Sequence, residues 1–194
     1  MAKLRIMESC DSGRLLRKLE ELEQFDVMVL GCGLGQSQSA MDFIRGLLLK
    51  QPKEHPPLVL DADALNTLAK TPDWWRQLAD NVILTPHPGE MSRLSRVSIE
   101  EVQSNRIGIA REKAQEWQKT VVLKGAYTVV ATPDGPTRVS PIANPGLASA
   151  GTGDVLTGVI AGLMAPGPGP VPGSQLRRLS ARASWRDGPG QAGQ

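Results

Sequence analysis

The sequence predicts an α/β fold in which a mostly parallel central sheet carries helices on both faces. Between about residues 12 and 164, apolar residues switch repeatedly between the helical period and short continuous runs, as in alternating strands and helices. The short runs are apolar throughout, which is typical of strands buried on both faces. A Gly-rich loop then leads into an apolar helix. Ligands of such sheets bind beyond the carboxyl ends of the strands.

Length and composition predict one folded domain followed by a tail. The chain has 194 residues, of which 40% are hydrophobic and 22% charged, values typical of a globular protein. We expect residues 1–164 to form the domain. Residues 165–194 hold six Gly and five Pro without a hydrophobic period, so they are predicted to be a disordered tail.

Charge and cysteine content exclude several classes of function. The tail carries four Arg and one Asp, a net of +3, so residues 1–164 keep 18 of the 22 basic and 19 of the 20 acidic residues, a net of −1. A nucleic-acid partner is therefore not expected. Two cysteines cannot form a disulfide framework, and no apolar stretch approaches the roughly 18 residues of a membrane span. We expect a cytoplasmic protein without a membrane partner, and for a longer form a mitochondrial location stays open.

The first half of the domain contains three predicted helices and two strands. Leucines at helical spacing predict a helix over 15–22, and the apolar run 26–30 predicts a strand. Ser37 is a predicted N-cap for a helix that stops before Pro52. A strand over 58–60 is followed by a short helix through Leu68.

The second half continues the alternation. Pro72 opens a helix with Trp74 packed and Trp75 half-exposed, and a strand follows over 82–84. Ser98, with Glu101 three residues later, is a capping-box signature for one long helix to about Gln118. Three further strands are predicted over 120–124, 127–131 and 137–140.

The segment 144–156 is the strongest candidate for chemistry. Its small residues let backbone approach a ligand, and the helix that follows directs unpaired N–H groups towards an anion. A carboxylate at that position, Asp154, is placed to act as a general base for a hydroxyl that attacks a phosphoryl group. In the alternative interpretation Asp154 simply caps the helix.

Five ordered blocks of the sequence stand out, at residues 31–36, 59–66, 85–90, 122–128 and 151–158. Together they resemble one known family, the ADP/ATP-dependent NAD(P)H-hydrate dehydratases of the ribokinase-like superfamily. The resemblance implies a ribokinase-like three-layer sandwich. It also implies that the fold is incomplete at both ends of this chain, because members usually continue on either side.

The resemblance further implies a repair lyase. Hydrated NADH or NADPH, as the S epimer, would be dehydrated back to the cofactor by phosphorylation of its hydroxyl and elimination of phosphate, with ATP or ADP and Mg²⁺. Asp154 would be the base, Gly35, His87 and Asp154 would bind the substrate, and Glu90 would help hold Mg²⁺ through water. The implied nucleotide-binding residues are Lys124, Gly125, Ala126, Tyr127, Thr128, Gly151, Thr152 and Gly153.

Structural alternatives remain for several of these residues. The glycines at 31, 33 and 35 do not fit a dinucleotide fingerprint, because Gln36 stands where its third glycine belongs, and they could form only a tight turn. His87 could belong to a structural turn, and Glu90 could equally cap the following helix. Asp61 and Asp63 could line the site or serve as ordinary turn residues.

Two alternative functions also remain at this point. The first is a ribokinase-like small-molecule kinase that releases a phosphorylated product. The second is a catalytically inactive shortened form. The sequence does not distinguish ATP from ADP, and a homo-oligomer is compatible with the family.

Overall fold

A seven-stranded sheet with helices packed on it forms the framework of the protein. The computed structural model describes residues 4–7, 25–50, 55–143 and 151–165. The strands lie side by side in chain order: β1 Leu4–Met7, β2 Val27–Leu30, β3 Leu58–Leu60, β4 Val82–Leu84, β5 Thr120–Leu123, β6 Val129–Ala131 and β7 Arg138–Val139. Strands β1 to β5 are parallel, and β6 and β7 are antiparallel to their neighbours. The predicted, mostly parallel α/β sheet is confirmed.

Seven helices are described in the same ranges. They are α1 Gln38–Lys50, α2 Ala62–Ala69, α3 Trp74–Gln77, α4 Pro88–Ser95, α5 Ile99–Ser104, α6 Arg106–Trp117 and α7 Thr152–Met164. None of these described helices is long and apolar enough to cross a membrane.

Among the described residues, alternate side chains of strands β2 to β6 enter two separate cores. In β2, Met28 and Leu30 pack in the larger core with helices α1 to α6, whereas Val27 and Val29 face the opposite side. There they meet α7 through Ile160 and its neighbours. Side chains alternate across a strand, so a strand apolar at every position requires cover on both faces, as predicted.

Most predicted elements are confirmed to within a few residues. The strand over 58–60 and the strand over 82–84 coincide with β3 and β4. The Ser37 hydroxyl accepts from the Ala40 N–H, 3.2 Å away, which confirms it as the cap of α1. Trp74 is buried and meets Trp75 edge-on, with 5.7 Å between ring centroids.

The prediction of one long helix from Ser98 to about Gln118 is wrong. The chain forms two helices, α5 and α6, which meet at Asn105. Asn105 adopts φ −130°, and its side-chain oxygen accepts from the Gly108 N–H, so it begins a new helix instead of continuing the old one. Asparagine competes in this way because its short amide reaches nearby backbone groups.

Strand β1 and helix α4 are not predicted as elements from the sequence. Three other predictions concern residues that the structure does not describe. Strand β1 was not anticipated, and helix α4 was anticipated only as the unnamed helix that Glu90 might cap. The predicted helix over 15–22, the loop segment 144–150 and the tail beyond residue 165 lie outside the described residues. The division into a domain and a tail therefore stays a prediction.

Candidate active site

The carboxyl ends of four neighbouring strands meet the amino end of α7, and this is where the predicted site residues converge. Asp61 follows β3, His87 follows β4 and Lys124 follows β5, while the loop after β2 contains Cys32 and Gly35. Helix α7 presents its first turn, with Gly153 and Asp154, to the same edge. Parallel strands place their ends side by side, so residues far apart in sequence become neighbours.

Asp61 is the buried centre of this cluster. Its Oδ1 lies 2.6 Å from the Lys124 ammonium and accepts from the Ala62 N–H at 2.9 Å, so it also caps α2. The hydroxyl of Thr157, on α7, lies 3.1 Å from Oδ2 of Asp61 and 2.7 Å from the carbonyl of Gly153. A hydroxyl has one proton, so it donates to one of these oxygens at a time. The Asp61 side chain thus links the ends of β3 and β5 to α7. It is therefore not an ordinary turn residue.

Lys124 brings positive charge to the amino end of α7. A Cβ placed on Gly153 would stand 3.4 Å from the Lys124 ammonium, so the side chain lies against the first turn of that helix. The Glu90 carboxylate is 3.9 Å from the same ammonium. An anion that reaches this position meets a cation and the unpaired N–H groups of the helix together.

His87 and Glu90 form a complete capping box at the start of α4. Nδ1 of His87 accepts from the Gly89 and Glu90 N–H groups at 3.0 and 3.4 Å, and Oε2 of Glu90 accepts from the His87 N–H at 2.8 Å. Nδ1 is therefore the unprotonated nitrogen, and Nε2 carries the proton in the neutral ring. The His87 side chain remains half-exposed. Both residues thus cap α4, and the exposed part of the His87 ring is still available to a ligand.

The burial of the Glu90 carboxyl group should make the free energy of unfolding depend on pH. Desolvation raises its pKa from the ordinary 4.5, against the opposing His87 N–H and Lys124 ammonium. A folded-state pKa above the unfolded value means that the folded chain binds the proton more tightly, so the free energy of unfolding falls as pH rises through this window. We expect Glu90→Gln to flatten that fall above about pH 4.5, in urea unfolding measured at a series of pH values.

A matched control for this prediction is Glu112→Gln, which changes an exposed glutamate on α6. The control should retain the wild-type pH dependence. If Glu90→Gln unfolds with the same pH dependence as wild type, the burial of Glu90 is not a source of pH sensitivity.

Asp154 is exposed in the first turn of α7, and the Cys32 thiol donates a hydrogen bond to it. Burial first, and then this hydrogen bond to Asp154, raise the pKa of the thiol to about 12. Cys32 is therefore a neutral donor at physiological pH, not a nucleophile. The Asp154 carboxylate itself stays exposed, as a proton acceptor for a substrate hydroxyl must be.

The remaining predicted residues form two loops beside this cluster. The Gly35 N–H donates to Oδ2 of Asp63 at 2.8 Å, so the loop after β2 is tied to α2. Gly125 adopts φ +133°, and the Thr128 hydroxyl donates to its carbonyl at 3.0 Å, which folds 125–128 into a tight turn after β5. The Arg106 guanidinium donates to the carbonyls of Leu123 and Lys124 beneath this turn.

Further predicted nucleotide residues border these loops. Ala126 and Tyr127 are exposed, and Tyr127 lines a groove of about 250 Å³ with Arg106. Gly151 precedes α7 with φ +86°, and Thr152 is the first residue of that helix. Two loops and one helix terminus thus present backbone to the same side of the site.

Glu90 is poorly placed to bind a metal ion directly. Among the described residues, no three acidic, histidine or cysteine side chains are grouped to hold a metal ion. Both oxygens of Glu90 face His87, Oε2 at 2.8 Å from its N–H and Oε1 at 3.4 Å from Nε2, and the side chain is buried. Direct coordination by Glu90 does not fit this geometry, and the water-mediated contact stays a prediction. Mg²⁺ commonly relies on waters and substrate phosphates in this way.

The matching family profile and several curated relatives agree on one family. The family profile described as NAD(P)H-hydrate dehydratase matches residues 4–183. The ADP-dependent (S)-NAD(P)H-hydrate dehydratase of Neisseria meningitidis is 42% identical over 152 residues, which is 77% of this chain and 50% of that protein. The bifunctional NAD(P)H-hydrate repair enzyme Nnr of Moorella thermoacetica is 42% identical over 91% of this chain and 33% of its own length.

Solved structures agree with the sequence matches. The ADP/ATP-dependent NAD(P)H-hydrate dehydratase of Bacillus subtilis, co-crystallised with ATP and Mg²⁺, superposes with a TM-score of 0.60 at 38% identity, over 75% of this chain and 50% of that one. A ribokinase-like superfamily protein of Enterococcus faecalis gives 0.67 at 27% identity, over 79% of this chain and 53% of that one. The ribokinase-like fold is therefore confirmed. The chain spans between about a third and a half of the length of these relatives.

Proposed function

This chain belongs to the NAD(P)H-hydrate dehydratase family, and we propose that it returns hydrated NADH and NADPH to the working cofactors. The reaction uses one molecule of ATP or ADP. The terminal phosphoryl group of the nucleotide is transferred to the hydroxyl of the S-epimer hydrate, and ADP or AMP is released. The C–O bond then breaks with phosphate as the leaving group, and loss of a proton from the adjacent ring carbon restores the ring double bond. The proposal identifies the chain as a carbon–oxygen lyase of metabolite repair.

The observation that carries this proposal is the position of Asp154. Its carboxylate is exposed in the first turn of α7, beside a Lys124 ammonium that lies against the same turn. A base next to an anion-binding helix end is the arrangement that phosphoryl transfer to a hydroxyl requires, because one group takes the proton while the others stabilise the phosphoryl charge.

Each residue of the cluster has a distinct role in this proposal. Asp154 accepts the proton of the attacking hydroxyl, and the Gly151, Thr152 and Gly153 backbone together with Lys124 binds the transferred phosphoryl group. Asp61 positions Lys124, since its carboxylate lies 2.6 Å from the ammonium.

Gly35 and His87 hold the hydrated nicotinamide nucleotide from two sides of the site. The turn formed by Gly125, Ala126, Tyr127 and Thr128 binds the nucleotide co-substrate. Mg²⁺ bound to the nucleotide phosphates supplies charge neutralisation.

Identification of the phosphorus products tests this proposal against a related kinase activity. With hydrated NADH, Mg²⁺ and ATP, phosphorus NMR is expected to show inorganic phosphate increasing in step with regenerated NADH. A kinase would instead leave a stable phosphoester resonance and no NADH. That outcome, or nucleotide hydrolysis without NADH, would contradict the lyase assignment.

We also propose that the protein works in the cytoplasm on small-molecule substrates. Its two cysteines offer no disulfide framework, and the Cys32 thiol is free. Association into a homo-oligomer stays a prediction that sedimentation of the purified chain would test.

A further inference from the structure

A groove lined mainly by polar residues lies between α2 and α4, beside the loop after β2. It encloses about 420 Å³ and is lined by Gln36, Asn66, Ala69, Lys70 and Arg93. Gln36 directly follows Gly35, and Arg93 belongs to α4, the helix that His87 caps. The groove therefore adjoins both elements that carry the proposed nicotinamide contacts.

Arg93 is fixed in an orientation that leaves its guanidinium available. Its Nε donates to the side-chain oxygen of Asn66 at 2.9 Å. A Cβ placed on Gly89 would stand 3.7 Å from Nη1, so the head group lies along the first turn of α4. With Nε engaged, the two Nη groups remain to bind a ligand, and a planar guanidinium pairs with the oxygens of a phosphate in two-point fashion.

Lys70 supplies a second positive charge to the same groove. Its ammonium lies 3.5 Å from the Gln36 side-chain oxygen and 3.6 Å from the Met41 sulfur, both long contacts. Among the described residues, neither Lys70 nor Arg93 has a carboxylate within ion-pair distance, and no acidic residue lines the groove. Both side chains are exposed, and two positive charges beside one groove favour an anionic ligand over a cationic one.

We propose that this groove binds phosphate groups of the dinucleotide substrate, with Lys70 and Arg93 as the specificity-determining cations. The inference rests on the proposed function, because the hydrated nicotinamide held by Gly35 and His87 is joined to a diphosphate. In hydrated NADPH the adenosine also carries a 2′-phosphate. The groove volume of about 420 Å³ lies near the lower end of the range for small-molecule sites, about 300–1,000 Å³. The groove is therefore large enough for part of a dinucleotide.

Calorimetric titration of the two hydrates, without ATP or ADP, tests the proposal. The double variant Lys70→Gln/Arg93→Gln is expected to weaken binding about 10-fold or more, because two charge-assisted contacts to phosphate are removed. Equal weakening for both hydrates would assign the groove to the diphosphate, and weakening confined to hydrated NADPH would assign it to the 2′-phosphate. Unchanged affinity for both hydrates, or no binding by the wild-type chain, would overturn the proposal.

Two further variants control the experiment. Arg76→Gln/Arg111→Gln removes two exposed positive charges from α3 and α6, so it matches the change in net charge and should bind both hydrates normally. Lys70→Arg keeps both charges and leaves the Arg93 guanidinium in place, so it should retain most of the affinity. Binding is measured without turnover, so a chain that binds through the groove but regenerates no NADH would contradict only the proposed activity.

Discussion

Replacement of Asp154 by Asn is expected to lower the rate of NADH regeneration by about 10²- to 10⁴-fold, the contribution of a positioned general base. Asparagine has nearly the same shape and can still accept the hydrogen bond from the Cys32 thiol. It cannot take a proton from the substrate hydroxyl at neutral pH. The loss should therefore appear in kcat, while nucleotide affinity, which depends on backbone and Lys124, should change little.

The matched control for this variant is Asp134→Asn, which neutralises an exposed carboxylate between β6 and β7. Its turnover should equal that of the wild type. Fluorescence or calorimetric titration with ATP would show that the Asp154→Asn chain remains folded and competent to bind. Full turnover by the Asp154→Asn variant would remove this residue from the mechanism.

Gly31→Ala should destabilise the fold by about 3 kcal/mol or more. Gly31 adopts φ +127°, a conformation that L-residues rarely enter, and an added Cβ would stand only 1.8 Å from the carbonyl oxygen of Asp61. Backbone cannot rotate away as a flexible side chain can, so the ends of β2 and β3 must separate. The displaced residue is Asp61 itself, so the Lys124 ammonium should lose its position as well.

Gly33→Ala is the internal control, because Gly33 lies two residues away with φ +72° and has no atom within 4 Å of an added Cβ. It should cost only about 1 kcal/mol, the penalty for a left-handed conformation. Urea unfolding of the two variants measures the difference. If both lower the free energy of unfolding equally, the close approach to Asp61 has no energetic consequence.

The strands of this fold could be predicted from sequence because burial on both faces leaves a simple pattern. The runs over 58–60 and 82–84 are apolar at each position. They are bounded by Pro57 and Asp61 and by Asn81 and Thr85, so their ends could be placed to the residue. The division between α5 and α6 could not be predicted, because the apolar spacing that begins after the Ser98 cap continues across Asn105. The division depends on the hydrogen bond that the Asn105 side-chain oxygen accepts from the Gly108 N–H.

The candidate site was predictable in its separate parts and not in its connections. Asp154, His87 and Lys124 each follow a recognisable strand end or glycine loop. The link from Thr157 to Asp61 spans 96 residues and depends on how α7 lies on the sheet. The available signal was a threonine among the apolar residues beyond the first turn of that helix. That Lys70 and Arg93 line the same groove likewise could not be predicted, because it depends on how α2 and α4 pack.

The measurement that tests the proposed function most directly is the absorbance of NADH regenerated from its hydrate by the purified 194-residue chain. Reactions would contain Mg²⁺ with ATP, with ADP or with no nucleotide, and the Asp154→Asn chain would be run beside each. We predict turnover that requires a nucleotide and disappears in the variant. A chain that unfolds cooperatively and binds ATP, yet regenerates no NADH with either nucleotide, would contradict the proposal.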